Sequence, residues 1–228
     1  FTKSKHRSQT PSLTVSMNRF CRNCKKPEMF DDRRAIEFIA DHPLDFIPEP
    51  MVQWTSYPDD WNGGVGQSEY FRFYYLYVKG GIYLDHDAVL ANDILSIVQD
   101  KDFVGVNAWT PDNTPYMMAG FIAAKPKHPL IKKALLTLYH ADSSILKMDY
   151  LYTCKLLLRI FNEDGYKTDK DILLEEVYEH GKGFRGTAIV TKGRKCVARH
   201  MFRVGDHGQL DEMDTFLKWM DLTTTCNL

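Results

Sequence analysis

The sequence predicts an α/β fold, and three observations carry that prediction. Stretches with helical spacing alternate with short strand-like runs along most of the chain. Near residue 80 a long apolar helix gives way to two glycines and then to a short apolar run that ends on acidic residues. The chain has 228 residues, 44 % of them hydrophobic, enough to bury one substantial core. Residues 1–11, polar and basic, read as a linker or disordered arm, and residues 12–228 as a single domain.

The elements follow in order. Residues 12–17 read as a first strand. Asp31 or Asp32 starts a helix whose apolar side includes Ile36 and Ile39 and which stops before His42 and Pro43. Residues 51–55 read as a second strand, and 59–66 as a turn-rich loop. From Ser68 to Lys79 comes a helix that is apolar nearly all round, the mark of a buried helix. Glu69, Arg72, Phe73 and Leu76 share one of its faces, while Tyr70, Tyr74 and Tyr77 share another. Gly80 and Gly81 end it and turn the backbone into the strand Ile82-Tyr83-Leu84. Residues 103–106 and 120–124 are strand-like, and Pro129 opens a helix bearing Leu130, Ala134, Leu135 and Leu138. Tyr150, Leu151, Cys154, Leu157, Leu158 and Phe161 form a helical stripe assigned to the core. Residues 187–191 and 196–202 read as late strands, and 214–220 as a closing helix.

The chemistry is concentrated where the short strand ends. Strand side chains alternate, so Asp85 and Asp87 project from one face while His86 points away. Two hard carboxylates there suit a divalent cation that binds oxygen and leaves room for phosphate. Asp100/Asp102 and Asp169/Asp171 have the same spacing, but no apolar run leads into them, and a solvated turn or helix start accounts for both. Glu69 and Arg72, spaced i,i+3 on a buried helix, are either a satisfied internal ion pair or a pair facing a polar ligand beside the cation.

The run Ser68, Glu69, Arg72, Leu76, Gly80, Gly81, Tyr83, Asp85, Asp87 resembles the signature of glycosyltransferases with a sugar-binding D-x-D region. The likeness extends, more loosely, to Pro129. Where this chain has Glu69 the pattern usually has aspartate, a difference of one methylene. The resemblance implies a GT-A fold, a Rossmann-like α/β/α sandwich with a mixed central sheet, as one catalytic domain. It also implies Mn2+ or Mg2+ held by Asp85 and Asp87 against the diphosphate of a nucleotide-sugar. Arg72, Glu69 and Tyr83 would lie on the donor, with Arg72, Asp85 and Asp87 as the catalytic set. The donor is expected to be a UDP-sugar ahead of a GDP-sugar, the acceptor a glycan or glycosylated molecule, and the hexose transfer one that retains configuration. No Asp or Glu stands out as a base or nucleophile.

Further residues carry two readings each. Asp149 either caps the helix that follows or sits across the donor from the metal. His200 and His207 are candidates for a third metal ligand, ahead of His180. Trp54, Trp61 and Trp109 either stack on a base or pack. Residues 116–121 and the Lys127-His128-Pro129 run that follows resemble the family's acceptor-side loop and strand, and ordinary core fits them equally.

Two rivals have other features. A phosphatase or phosphotransferase built on a strand-end D-x-D places other residues after it, and here Ala88-Val89 follow. A catalytically silent sugar-nucleotide-binding module would keep the fold and lose turnover.

Composition excludes further classes. A net charge of −1 without a basic stripe argues against nucleic acid. No apolar run reaches the ~18 residues of a membrane span. Of five cysteines only Cys21 and Cys24 are close, and with no second pair downstream they do not read as a zinc ribbon. Free thiols and the lack of a usable N-x-S/T site lean towards a reducing, cytoplasmic setting. A Golgi enzyme separated from an upstream anchor would look the same.

Overall fold

A computed structural model describes residues 11–21, 23–24, 28–56, 61–85, 88–163, 165–181 and 184–201. Residues 1–10 of the expected arm, the expected helix at 214–220, Asp87 and His207 lie outside these.

The amino-terminal part is helical. Helices α1 (Pro11–Phe20), α2 (Asp32–Asp41) and α3 (Pro50–Ser56) precede the long α4 (Trp61–Lys79). Two expected strands are therefore helices, and each has a proline at its first position, where the missing N–H costs nothing. In α1 the buried Ser16 accepts a hydrogen bond from Leu90 N–H. In α3 the helical spacing of Met51 and Trp54 brings both to the core. The loop expected at 59–66 is largely the start of α4, whose buried Gln67 donates to the carbonyl of Trp54. Docking on α3 thus offsets a glycine-rich first turn of poor helix propensity. Asp31 caps α2, accepting from Arg34 N–H at 2.8 Å, and His42 ends it. Ala35 and Ile39 form the inner face, whereas Ile36 points outward.

The expected long helix α4 is buried along its middle, and Gly80 and Gly81 leave it with φ of +66° and +106°. Strands β1 (Gly81–Leu84) and β2 (Ala88–Leu90) flank the acidic tripeptide, and the short α5 (Leu95–Val98) follows. Then come β3 (Phe103–Trp109), β4 (Pro115–Met117), β5 (Phe121–Ala124), α6 (Pro129–Tyr139), α7 (Ser143–Met148) and α8 (Tyr152–Asn162). A meander of β6 (Ile172–Gly181), β7 (Phe184–Val190) and β8 (Cys196–Met201) closes the described chain.

The sheet runs β1-β5-β3-β6-β7-β8-β2, with β4 beside β3. It is mixed but mostly antiparallel, because among the described residues only β3 and β6 pair in parallel. Side chains alternate across it: Ile122 and Ala124 of β5 face α4, α6 and α8, while Phe121 and Ala123 face the other cluster with α1 and α5. The long β6 serves two partners in turn. Its first residues, Ile172 to Glu175, pair with β3, and Glu175 to Gly181 pair with β7.

The strand path turns back on itself. The two outermost strands, β1 and β2, are joined by three residues, so Leu84 and Ala88 stand at most about 14 Å apart. Laid flat, six strand spacings of about 4.8 Å would separate them by roughly 29 Å. The two margins of the strand path therefore meet at the acidic tripeptide.

The cysteines differ from expectation. Cys21 and Cys24 are disulfide-bonded, their Cα atoms 5.2 Å apart, and Cys196 is disulfide-bonded as well. The lean towards a reducing setting, drawn from free thiols, loses that ground. No described helix is long and apolar enough to cross a membrane.

Candidate functional site

The end of β1 gathers polar side chains that the sequence keeps far apart. Asp85 continues β1, its N–H donating to Gly120 O at 2.8 Å. On its carboxylate Oδ1 converge the Tyr83 hydroxyl, donating at 2.7 Å, and Arg72 Nη2 at 3.4 Å. Arg72 Nη2 also donates to the Tyr83 hydroxyl at 3.0 Å, and its guanidinium lies 4.1 Å from the Tyr83 ring centre. The other carboxylate oxygen faces Gly120 so closely that a Cβ there would stand 2.6 Å from it. A glycine at 120 is thus a steric requirement of the Asp85 side chain.

Behind this group lies a second polar pair. Glu69, one turn before Arg72 on α4, accepts a hydrogen bond from the Thr153 hydroxyl on α8. Glu69 is 8 % exposed and Thr153 1 %. Burial pushes the Glu69 carboxyl up to about 7, against the pull of Arg72 and Thr153. Burial works against the Arg72 charge, yet Tyr83, Asp85 and Glu69 together hold it above its ordinary value. Burial likewise raises the Tyr83 hydroxyl and pushes the Cys154 thiol up to about 12.

Arg72 Nε is buried and has no hydrogen-bond partner among the described residues. A buried donor left over beside a half-exposed carboxylate marks a place for an anionic or hydroxylated ligand. Among the described residues no three His, Cys, Asp or Glu side chains gather closely enough to hold a metal ion. Asp85 is the described carboxylate available for one, and its hard oxygens suit a small divalent cation.

The structure thus brings Glu69, Arg72, Tyr83 and Asp85 together. Asp149 is otherwise engaged: its carboxylate accepts from Leu151 N–H at 3.0 Å and from Lys155 Nζ at 2.9 Å, at the start of α8. The backbone of His200 lies in β8 opposite Ala88. Trp54 packs against Phe71, and Trp109 is exposed at the end of β3. Residues 117–121 are buried, and Gly120 backs Asp85.

Three residues were missed by the sequence reading. Gly120 falls in the run 116–121, which carries no local sign of its contact with Asp85. Thr153 and Cys154 lie in the first turn of α8, whose spacing points to core alone. The sign was Thr153 itself, a hydroxyl in register with Leu157 and Ile160 on the buried face. The other D-x-D pairs are not merely solvated either. Thr168 links them, its hydroxyl standing 3.1 Å from Asp102 Oδ2 and 2.9 Å from Asp171 Oδ1 with one proton to share between them, and Asp171 pairs with the buried His128.

Residues 17–104, from α1 into β3, match the model of a family described as a glycosyltransferase sugar-binding region containing a DXD motif. This stretch contains Glu69, Arg72, Tyr83, Asp85 and Asp87, and the match supports a glycosyltransferase family for the chain. No curated protein and no solved structure matches it.

Proposed function

We propose that the chain is a metal-dependent glycosyltransferase that moves a hexose from a UDP- or GDP-sugar to a glycan or glycosylated acceptor, with retention of configuration. The observation that carries this reading is the convergence of Arg72 and Tyr83 on the Asp85 carboxylate at a strand end, inside the matched region. On this reading the fold is a GT-A variant, supported by the mixed sheet with helices on both faces.

Asp85 and Asp87 would hold Mn2+ or Mg2+, with a histidine, His200 or His207, as a further ligand. A cation held there would supply neutralisation of the charge that develops on a departing diphosphate. The chain's own residues do the rest. Tyr83 fixes the rotation of the Asp85 carboxylate by donating to Oδ1. Arg72 supplies a fixed positive charge whose free Nε can donate to a phosphate or sugar oxygen. Thr153 holds one oxygen of Glu69, leaving the other for a sugar hydroxyl. Gly120 keeps the floor open beneath Asp85.

Asp87→Ala is expected to lower manganese-dependent transfer and donor hydrolysis by at least about a hundredfold, in the range of other electrostatic stabilisers. Undiminished turnover in that variant, measured by release of nucleoside diphosphate, would discard the reading.

A further inference from the structure

A second carboxylate is held at the rim of the sheet where Asp85 lies. The core cluster on the α1 and α5 side takes side chains from β1, β5, β3, β6, β7, β8 and β2 alike, so the strand path closes around it. Alternation puts Glu176 on that inner face, two residues beyond Leu174 in β6. Thr187, two residues before Ile189 in β7, and Tyr116, opposite Ala108 of β3, share the face. Thr187 donates to Glu176 Oε1, and the Tyr116 hydroxyl donates to Oε2 at 3.4 Å. Thr187 is fully buried and Glu176 half-buried. Burial, and then the Glu176 charge, raise the Tyr116 hydroxyl and keep it a donor. Among the described residues no Lys, Arg or His forms an ion pair with Glu176. A carboxylate has about four lone-pair sites, and two hydroxyls fill half of them.

Register ties this carboxylate to the Asp85 site. Ala88 N–H donates to Asp85 O at 3.0 Å, and Ala88 heads a row of paired residues that runs through His200 and Thr187 to Tyr178. Thr187 is therefore two strand spacings, about 10 Å, from Ala88. Round the other side, Tyr116 is close enough to Cys154 for their charges to interact, as Cys154 is to Glu69 and Asp85. Tyr178 follows Glu176 on the same face and is 55 % exposed, so its ring is offered at the surface beside the carboxylate. A flat ring next to fixed acceptor oxygens suits a hexose, whose C–H face packs on the ring while its hydroxyls donate to the carboxylate.

We propose that Glu176 binds the acceptor sugar, accepting from hydroxyls of a hexose whose apolar face lies on Tyr178. Thr187 and Tyr116 are positioning residues: each fixes one carboxylate oxygen and leaves its second lone pair for the sugar. The hexose then lies on the inner rim, about two strand spacings from the acidic tripeptide. Its role as acceptor rests on the transferase reading above, whereas sugar binding at this rim does not.

The test is saturation-transfer NMR on the 228-residue chain without metal or nucleotide. The probes are the methyl glycosides of glucose, galactose and mannose, each titrated to ~10 mM. At least one is expected to bind, and Glu176→Gln to weaken it about tenfold, the loss for a hydrogen bond to a charged group. The hydroxyls of Thr187 and Tyr116 can turn to suit an amide, so this variant keeps the fold. Tyr178→Ala, at an exposed position, is expected to weaken the same glycoside about threefold. Thr187→Val weakens it as well but adds nothing in the double variant with Glu176→Gln, a coupling that a merely structural threonine does not show. Full additivity of that pair overturns the positioning role. Binding of none of the three glycosides, or binding indifferent to Glu176→Gln and Tyr178→Ala, overturns the subsite. Binding lost in Glu69→Gln instead assigns the sugar to the donor side and refutes it too. Release of nucleoside diphosphate from UDP- and GDP-hexoses with manganese is followed in parallel in the unaltered chain. Its absence would sink the transferase reading, and with it the acceptor role, while the glycoside titrations decide the subsite separately.

Discussion

Glu69 sets the balance of the polar cluster. Its carboxyl, buried and pushed up to about 7 from 4.5, binds a proton in the folded chain at pH values where the unfolded chain has lost it. Its contribution to stability is therefore complete below the unfolded value and is lost as pH rises towards 7. Glu69→Gln mimics the protonated form at every pH. In metal-free protein the substitution is expected to be nearly neutral at pH 5 and stabilising at pH 8, by up to about 3 kcal/mol. Thermal melts across that range check it, and a pH-independent difference would contradict the burial argument. At this scale the sequence made Glu69, Arg72, Tyr83 and Asp85 legible, because all four lie within 17 residues of one helix–turn–strand unit. Thr153 and Gly120 were not legible. The Thr153 contact spans 84 residues of chain, and the closeness of Gly120 to Asp85 exists only once β5 pairs with β1.

Among the elements, the turn from α4 into β1 has the tightest requirements. Gly80 has φ +66°, and a Cβ there would meet Pro126 Cδ at 2.6 Å and Ala124 O at 2.8 Å. Gly81 has φ +106° but open space around it. Gly80→Ala is expected to cost more than about 3 kcal/mol, strain plus collision, and Gly81→Ala about 1–3 kcal/mol from strain alone. Urea titration of the two variants ranks them, and equal losses would show that the collision relaxes. Glycine pairs of this kind announce themselves in a sequence, as did the run of β3, β5 and α6. Helices α1 and α3 did not. Residues 12–17 and 51–55 are short and apolar, and both periods fit so few residues. Packing of Trp54 and Ser16 decided the outcome, together with the prolines that precede them.

On the scale of the whole molecule, the bent strand path couples regions that a linear reading separates. Donor and manganese bound at the tripeptide are expected to slow hydrogen exchange in β1 and in β8, which pairs with β2, together. Protection confined to β1 would mean that the two margins move independently. The hairpin of β7 and β8 lies outside the matched stretch, yet its Ala198 pairs with Leu90 inside that stretch, while Thr187 donates to Glu176 of the neighbouring β6. The sequence signalled these strands without signalling where they would sit. Their place depends on the stagger of β6, which pairs with β3 through Ile172 to Glu175 and with β7 from Glu175 on, a register with no local residue code.

Because only three residues separate Leu84 from Ala88, the two ends of the path are tethered like the halves of a clasp. On the proposed reading, a guest seated at Asp85 would draw an open ribbon into a hoop. Its departure would free both ends at once, so that loading and unloading of cargo would be felt on the far side of the protein without any moving lid.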